Sequence, residues 1–243
     1  MRRPDFNSQA LFFSPALLKA LYAVHQALIH MHRLSGRFFI MKKKLTTEQL
    51  AVIAVMSAIA FLLAFIEIPM PLSPSFAMMD VSDLPAVLTA FAIGPVAGAL
   101  VEIIKNILQA FSSSTGGIGE LANCLMGCAY VIPAGLIYKK KKTRKGALIA
   151  CVVGSLSIGV AAALLNYYLL LPLFEMFMPL DQIIAAFSAF LPFIKTKFDV
   201  CLYNALPGNI LKGVIISVLA MLMYKPLSPL LHGNFKREAR TNA

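Results

Sequence analysis

Asn209 and Lys212 stand three residues apart in a strongly apolar run near the C-terminus, in Asn204-Ala-Leu-Pro-Gly-Asn-Ile-Leu-Lys212-Gly. At that spacing both side chains share one face of a helix. An amide and an ammonium are costly inside an apolar segment of membrane-spanning length unless something polar meets them. Asn166, in Ala-Ala-Leu-Leu-Asn166-Tyr-Tyr, occupies the same kind of setting. The chemistry on offer is recognition by hydrogen bonds: the amides donate and accept, and the ammonium donates to carbonyls. No nucleophile–base pair and no set of metal ligands accompanies them, so the chain reads as a binder and not as an enzyme, with no catalytic residue.

Other polar groups have blander readings. In Asp80-Val-Ser-Asp83-Leu-Pro85, Ser82 or Asp80 can cap a helix, and the acids suit the positive end of its dipole, with ligand contact by Asp80 as the alternative. Glu102 and Lys105 lie at i,i+3 and can neutralise one another. Cys124, Cys128, Cys151 and Cys201 all fall in apolar segments and read as structural thiols. His30-Met-His32 lacks the carboxylate or thiol company of a metal site. The loop from Ser112 to Gly119 has the small residues of a phosphate cradle but no following Lys, and no G-x-x-x-x-G-K-[ST] occurs. Uphill movement of a solute would therefore need ATP hydrolysed by another polypeptide.

The elements that must position these groups are membrane helices. Of 243 residues, 59% are hydrophobic and 14% charged, with a mean hydropathy of +0.77. A soluble domain carries about 25% charged residues. Apolar runs approach the ~20 residues needed to cross a bilayer. The net charge of +11 is gathered into short segments between those runs, which marks orientation rather than a nucleic-acid surface. Spans are expected at about Thr47–Ile68, Leu84–Ile93, Pro95–Ala110, Ile118–Tyr138, Gly146–Leu171 and Phe198–Tyr224. Lys42–Lys44, Lys139–Lys145 and the basic tail share one side only if all six segments cross, which gives N-in and C-in. The expected fold is thus an all-α integral membrane protein with six transmembrane helices.

Between the first two spans, Pro69, Pro71 and Pro74 forbid helix in an uncharged, apolar loop ending near Met79. Such a loop suggests a lid over a ligand, with a membrane-interface loop as the alternative. Pro207-Gly208 should bend the last span. Pro172 to Pro192 forms an outer connection with an amphipathic stretch from Ile183 to Phe190. Ala54 and Ala58 in the first span offer a smooth strip for another helix, unless they serve ordinary internal packing. Residues 1–40 read as a dispensable extension, with an amphipathic surface helix as the alternative. Residues 41–231 form the membrane domain and 232–243 a basic cytoplasmic tail.

A set of motifs occurs in order: Asp80-Val-Ser-Asp-Leu-Pro-Ala, Gly94-Pro-Val-Ala-Gly-Ala-Leu-Val-Glu-Ile-Ile-Lys-Asn106 and Thr115-Gly-Gly-Ile-Gly-Glu-Leu-Ala-Asn123. Lys145-Gly-Ala-Leu, Ala162-Ala-Leu-Leu-Asn166-Tyr and Tyr203-Asn-Ala-Leu-Pro-Gly-Asn209-Ile-Leu-Lys212-Gly follow. Together they resemble the riboflavin-binding S components of energy-coupling factor (ECF) transporters, over about Met41 to Leu231. The resemblance implies a six-helix protein of the cell membrane that captures riboflavin outside and works with a transmembrane coupling subunit and two cytoplasmic ATPases. It implies that Asn166, Asn209 and Lys212 contact the flavin and that Pro69–Met79 is the lid, with Met79 and Asp80 completing the substrate-binding set. It implies that Ala54 and Ala58 pack on the coupling subunit. Riboflavin is then cargo, and no cofactor or metal is expected. An S component for thiamin or biotin, or a polytopic interaction protein with no ligand, are the rival readings. The segment Pro179–Pro192 departs in length from the family pattern.

Overall fold

The computed structural model describes residues 45–74, 77–113, 116–175 and 178–232, with 225–232 described by backbone alone. The extension 1–40 with His30 and His32, the lid residues Ser75 and Phe76, Thr115, and the tail beyond His232 lie outside the described residues.

Helix α1 (Thr47–Leu63) opens on a capping box: Thr46 Oγ1 accepts from the Gln49 N–H at 3.3 Å while Gln49 Oε1 accepts from the Thr46 N–H at 3.1 Å. It stops short of the expected Ile68. Pro69 disfavours helical backbone at the residue before it. Ile68–Pro69 instead forms strand β1, antiparallel to β2 (Met78–Met79), with Ile68 opposite Met79 and Pro69 opposite Met78. The described residues are thus mostly helical, in keeping with the expected class, with a short hairpin between α1 and the next helix.

Helix α2 (Asp83–Ala92) buries every residue from Asp83 to Phe91, as a helix enclosed on all sides must. Gly94 breaks the chain at φ +145°, a backbone region open to glycine, and Pro95 begins α3 (Pro95–Ala110) at its first turn. Then come α4 (Ile118–Lys140), α5 (Arg144–Phe174), the short α6 (Leu180–Ser188) and α7, which runs from Lys197 to His232. Among the described residues, three helices are long and apolar enough to cross a membrane: Ile118–Lys140, Arg144–Phe174 and Lys197–Tyr224. Helices α1 and α2 are shorter apolar helices, of 17 and 10 residues. The six expected segments each contain a helix, yet half of them fall below spanning length.

Two long helices change pitch. A π-helical turn occupies Asn166–Leu170 in α5 and another Cys201–Ala205 in α7. Pro172 and Pro207 each follow closely. Proline has no N–H to donate, and its ring collides with the carbonyl four residues back. The wider turn accommodates both problems. The bend expected at Pro207-Gly208 is thus taken up just before it.

Helix α4 packs on α5, α5 on α7, and α3 on α4. Small residues permit the approach: a Cβ at Gly213 of α7 would lie 2.8 Å from Ser155 Cα of α5. Tyr130 closes this seam, with its hydroxyl 2.8 Å from Ser217 Oγ. The amphipathic α6 turns Ile183 and Phe187 onto Leu171, Ile194 and Val200.

Candidate functional site

Buried charge gathers where the start of α2 meets α3, α4 and α7. Asp83, Glu102 and Lys105 have no solvent exposure. The i,i+3 spacing on α3 brings Lys105 Nζ to 2.9 Å from Glu102 Oε2, the expected pair. Lys105 also binds Asp83 Oδ1 and donates to Ser82 Oγ at 2.7 Å. From α7, Lys212 Nζ reaches Asp83 Oδ2 at 3.1 Å, Asp80 Oδ2 at 3.6 Å and Asn123 Oδ1 at 3.1 Å. Asn123 Nδ2 donates to Asn106 Oδ1 at 3.2 Å, and Asn106 Nδ2 to the Glu102 carbonyl at 2.8 Å. The result is a continuous network of two lysines, three carboxylates and two amides.

Lys212 is buried as well, 6% exposed, but unlike Lys105 it is not fully enclosed. Only its contact with Asn123 has hydrogen-bond alignment; Asp83 Oδ2 attracts it as a charge without accepting a directed bond, and Asp80 is too distant for one. An ammonium has three donors, so Lys212 can still meet a ligand carbonyl. It lines a cleft of about 20 Å³ with Ile68, Met79, Asp80, Val81 and Ile215. That is room for one water.

The structure therefore brings Met79, Asp80 and Lys212 together. Asn209 is buried one turn before Lys212, where its Nδ2 donates to the Ala205 carbonyl at 2.8 Å. Asn166 opens the π-helical turn of α5, and its Nδ2 donates to the Ala162 carbonyl at 2.8 Å. No described hydrogen bond links Asn166, Asn209 and Lys212 to one another. Ala54 and Ala58 are exposed on α1, whose buried side carries Ile53, Ser57 and Ala60. Among the described residues they lie off the buried side of α1.

Asp83 and Asn123 were not among the expected site residues. In sequence Asp83 reads only as an acid suited to the helix dipole, with Ser82 or Asp80 as the cap; Ser82 makes no side-chain cap, and Asp80 Oδ1 accepts from the Ser82 N–H at 2.7 Å. The available signal was charge balance: Lys105 and Lys212 sit in apolar segments, and buried cations require acidic partners.

A sequence model of the family described as "ECF transporter, substrate-specific component" matches residues 48–224. The chain belongs to this family. Membership makes it a transport component and not an enzyme. This S component is 34% identical to the riboflavin transporter RibU of Staphylococcus aureus (strain TCH60), over 78% of this chain and 97% of that protein. It is 32% identical to the riboflavin transporter FmnP of Bacillus subtilis (strain 168), over 75% and 93% respectively. A solved structure of the S component of a bacterial ECF transporter matches it with a TM-score of 0.60 and 32% sequence identity, covering 76% of this chain and 98% of that one.

Proposed function

We propose that this S component captures riboflavin, and that Lys212 at the mouth of the buried ion network is the residue that orients it. The observation that carries this reading is a buried ammonium held in place by Asp83 and Asn123 yet left with unspent donors on a cleft beneath the hairpin. Isoalloxazine suits such a place. Its planar rings bury apolar surface at ~25 cal/mol per Å², and its pyrimidine edge supplies carbonyls and an N–H to be matched. Asn209, one turn before Lys212 on α7, and Asn166 on α5 serve that edge, while Met79 and Asp80 border the ring. The hairpin Pro69–Met79 opens to admit the flavin and closes apolar side chains over it.

In this reading the protein crosses the cell membrane six times with both ends inside, residues 41–231 forming the membrane domain and 1–40 a dispensable extension. It delivers riboflavin by working with a transmembrane coupling subunit and two cytoplasmic ATPases. Ala54 and Ala58 support this by standing exposed on α1, where another helix can pack closely. Purified protein should bind riboflavin one-to-one and quench its fluorescence. Failure to quench, with thiamin or biotin bound in a calorimetric titration, would assign the site to another vitamin.

A further inference from the structure

One stripe of α7 holds the hairpin from tip to root. Asn204, Gly208 and Lys212 follow one another at intervals of four residues and so lie along one side of the helix. At the tip, Asn204 Nδ2 donates to Ser73 Oγ at 2.7 Å and to the Leu72 carbonyl at 3.2 Å. Midway, the Met70 side chain lies on Gly208, where an added Cβ would run into its Sδ. At the root, Lys212 faces Asp80, the residue after β2.

Lys212 belongs to the binding set, but Asn204 does not. Its burial nevertheless sets it apart. Asn204 is 6% exposed and Ser73 8%, although the adjacent Leu72 is 63% exposed. A side-chain amide buried in an apolar span needs partners, and both donors of Asn204 are directed at the hairpin. Leu72 also sits at φ +56°, in the left-handed region that a bulky residue occupies at a cost. The contact to its carbonyl comes from outside the hairpin and holds that conformation. The π-helical turn Cys201–Ala205 carries Asn204 and sets the direction in which its amide projects.

We infer that Asn204 is the anchor of the hairpin, a positioning residue that keeps the closed lid on α7 and thereby governs how long the ligand is retained. The inference rests on the hairpin being the lid of the riboflavin site. Asn204 touches the lid and not the flavin, so its influence falls on release. Capture also requires an open hairpin, and because the anchor already holds the hairpin without flavin, entry is slowed along with release.

The test uses the full chain in detergent as wild type, Asn204→Ala, Ser73→Ala and the double variant. Riboflavin association and dissociation are followed by stopped-flow fluorescence, and hairpin amide exchange by mass spectrometry without flavin. Asn204→Ala should speed dissociation roughly tenfold, about 1.4 kcal/mol, with association faster as well. Ser73→Ala should have a smaller effect that largely disappears in the Asn204→Ala background. The amides of Met70 and Ala77, bonded within the hairpin, should exchange faster in both single variants. Unchanged dissociation and exchange, or strictly additive effects, would overturn the anchor. Ser73→Ala leaves α7 intact and decides the matter should Asn204→Ala fold poorly. If wild-type protein does not bind riboflavin, the riboflavin reading fails, while the flavin-free exchange still decides whether Asn204 holds the hairpin.

Discussion

Lys105 and Lys212 share Asp83 between them and have different neighbourhoods. Lys105 is closed in: Asp83 and Ser82 accept its hydrogen bonds, Glu102 stands 2.9 Å away as a charge, and nothing of it reaches solvent. Lys212 meets the opposite oxygen of Asp83, keeps one aligned hydrogen bond, and borders the cleft under the hairpin. A cation bound by two acceptors, faced by a second carboxylate and shut from solvent is a structural joint between α2 and α3. A cation fixed in place with donors to spare is a recognition group. Asp83 links the two, so the buried pair fixes where the recognition lysine points.

Removing the enclosed lysine should have the largest effect. Lys105→Met leaves Glu102 without its cation and Asp83 with Lys212 alone, and breaking a buried pair in this way costs about 3–5 kcal/mol. Thermal unfolding in detergent should show the loss, with riboflavin binding falling because the fold fails. A fully stable Lys105→Met protein would erase the distinction between the two lysines.

Lys212→Ala should come next, weakening riboflavin binding by about 1–3 kcal/mol while the protein stays monodisperse, since a buried ligand acceptor is left unpaired. Fluorescence titration measures it, and normal affinity would make Lys212 as structural as Lys105. Asn209→Ala should cost less, roughly 0.5–1.5 kcal/mol in the same titration, because its amide N–H is already spent on the Ala205 carbonyl. An Asn209 effect larger than that of Lys212 would move the recognition edge one turn along α7. Ala54→Trp and Ala58→Trp should leave affinity unchanged yet abolish ATP-dependent uptake, since a bulky side chain spoils a close-packing strip. Uptake at wild-type rates would free the exposed face of α1 from any partner.

Much of this architecture was legible in the chain. The apolar runs located the helices, Gly94-Pro95 marked the break between α2 and α3, and i,i+3 spacing paired Glu102 with Lys105. These are local rules, set by backbone sterics and helical period. The proline-rich segment was recognised as non-helical, but its pairing of Ile68 with Met79 was not, because strands of two residues carry no readable alternation.

Local order along the sequence determined which residues would be polar within apolar helices, and hence that Asn166, Asn204, Asn209 and Lys212 needed partners. Only the tertiary structure decided who those partners are. Lys212 meets Asn123 from a helix 89 residues away in sequence, and Asn204 meets Ser73 across 131. Asp83, legible as an acid at the positive end of a helix, became the pivot of two lysines once α2 was enclosed by its neighbours. The reason is physical: spacing fixes which side chains share a face, but burial makes a charge or amide costly enough to demand a partner, and burial is set by the packing of all the helices at once.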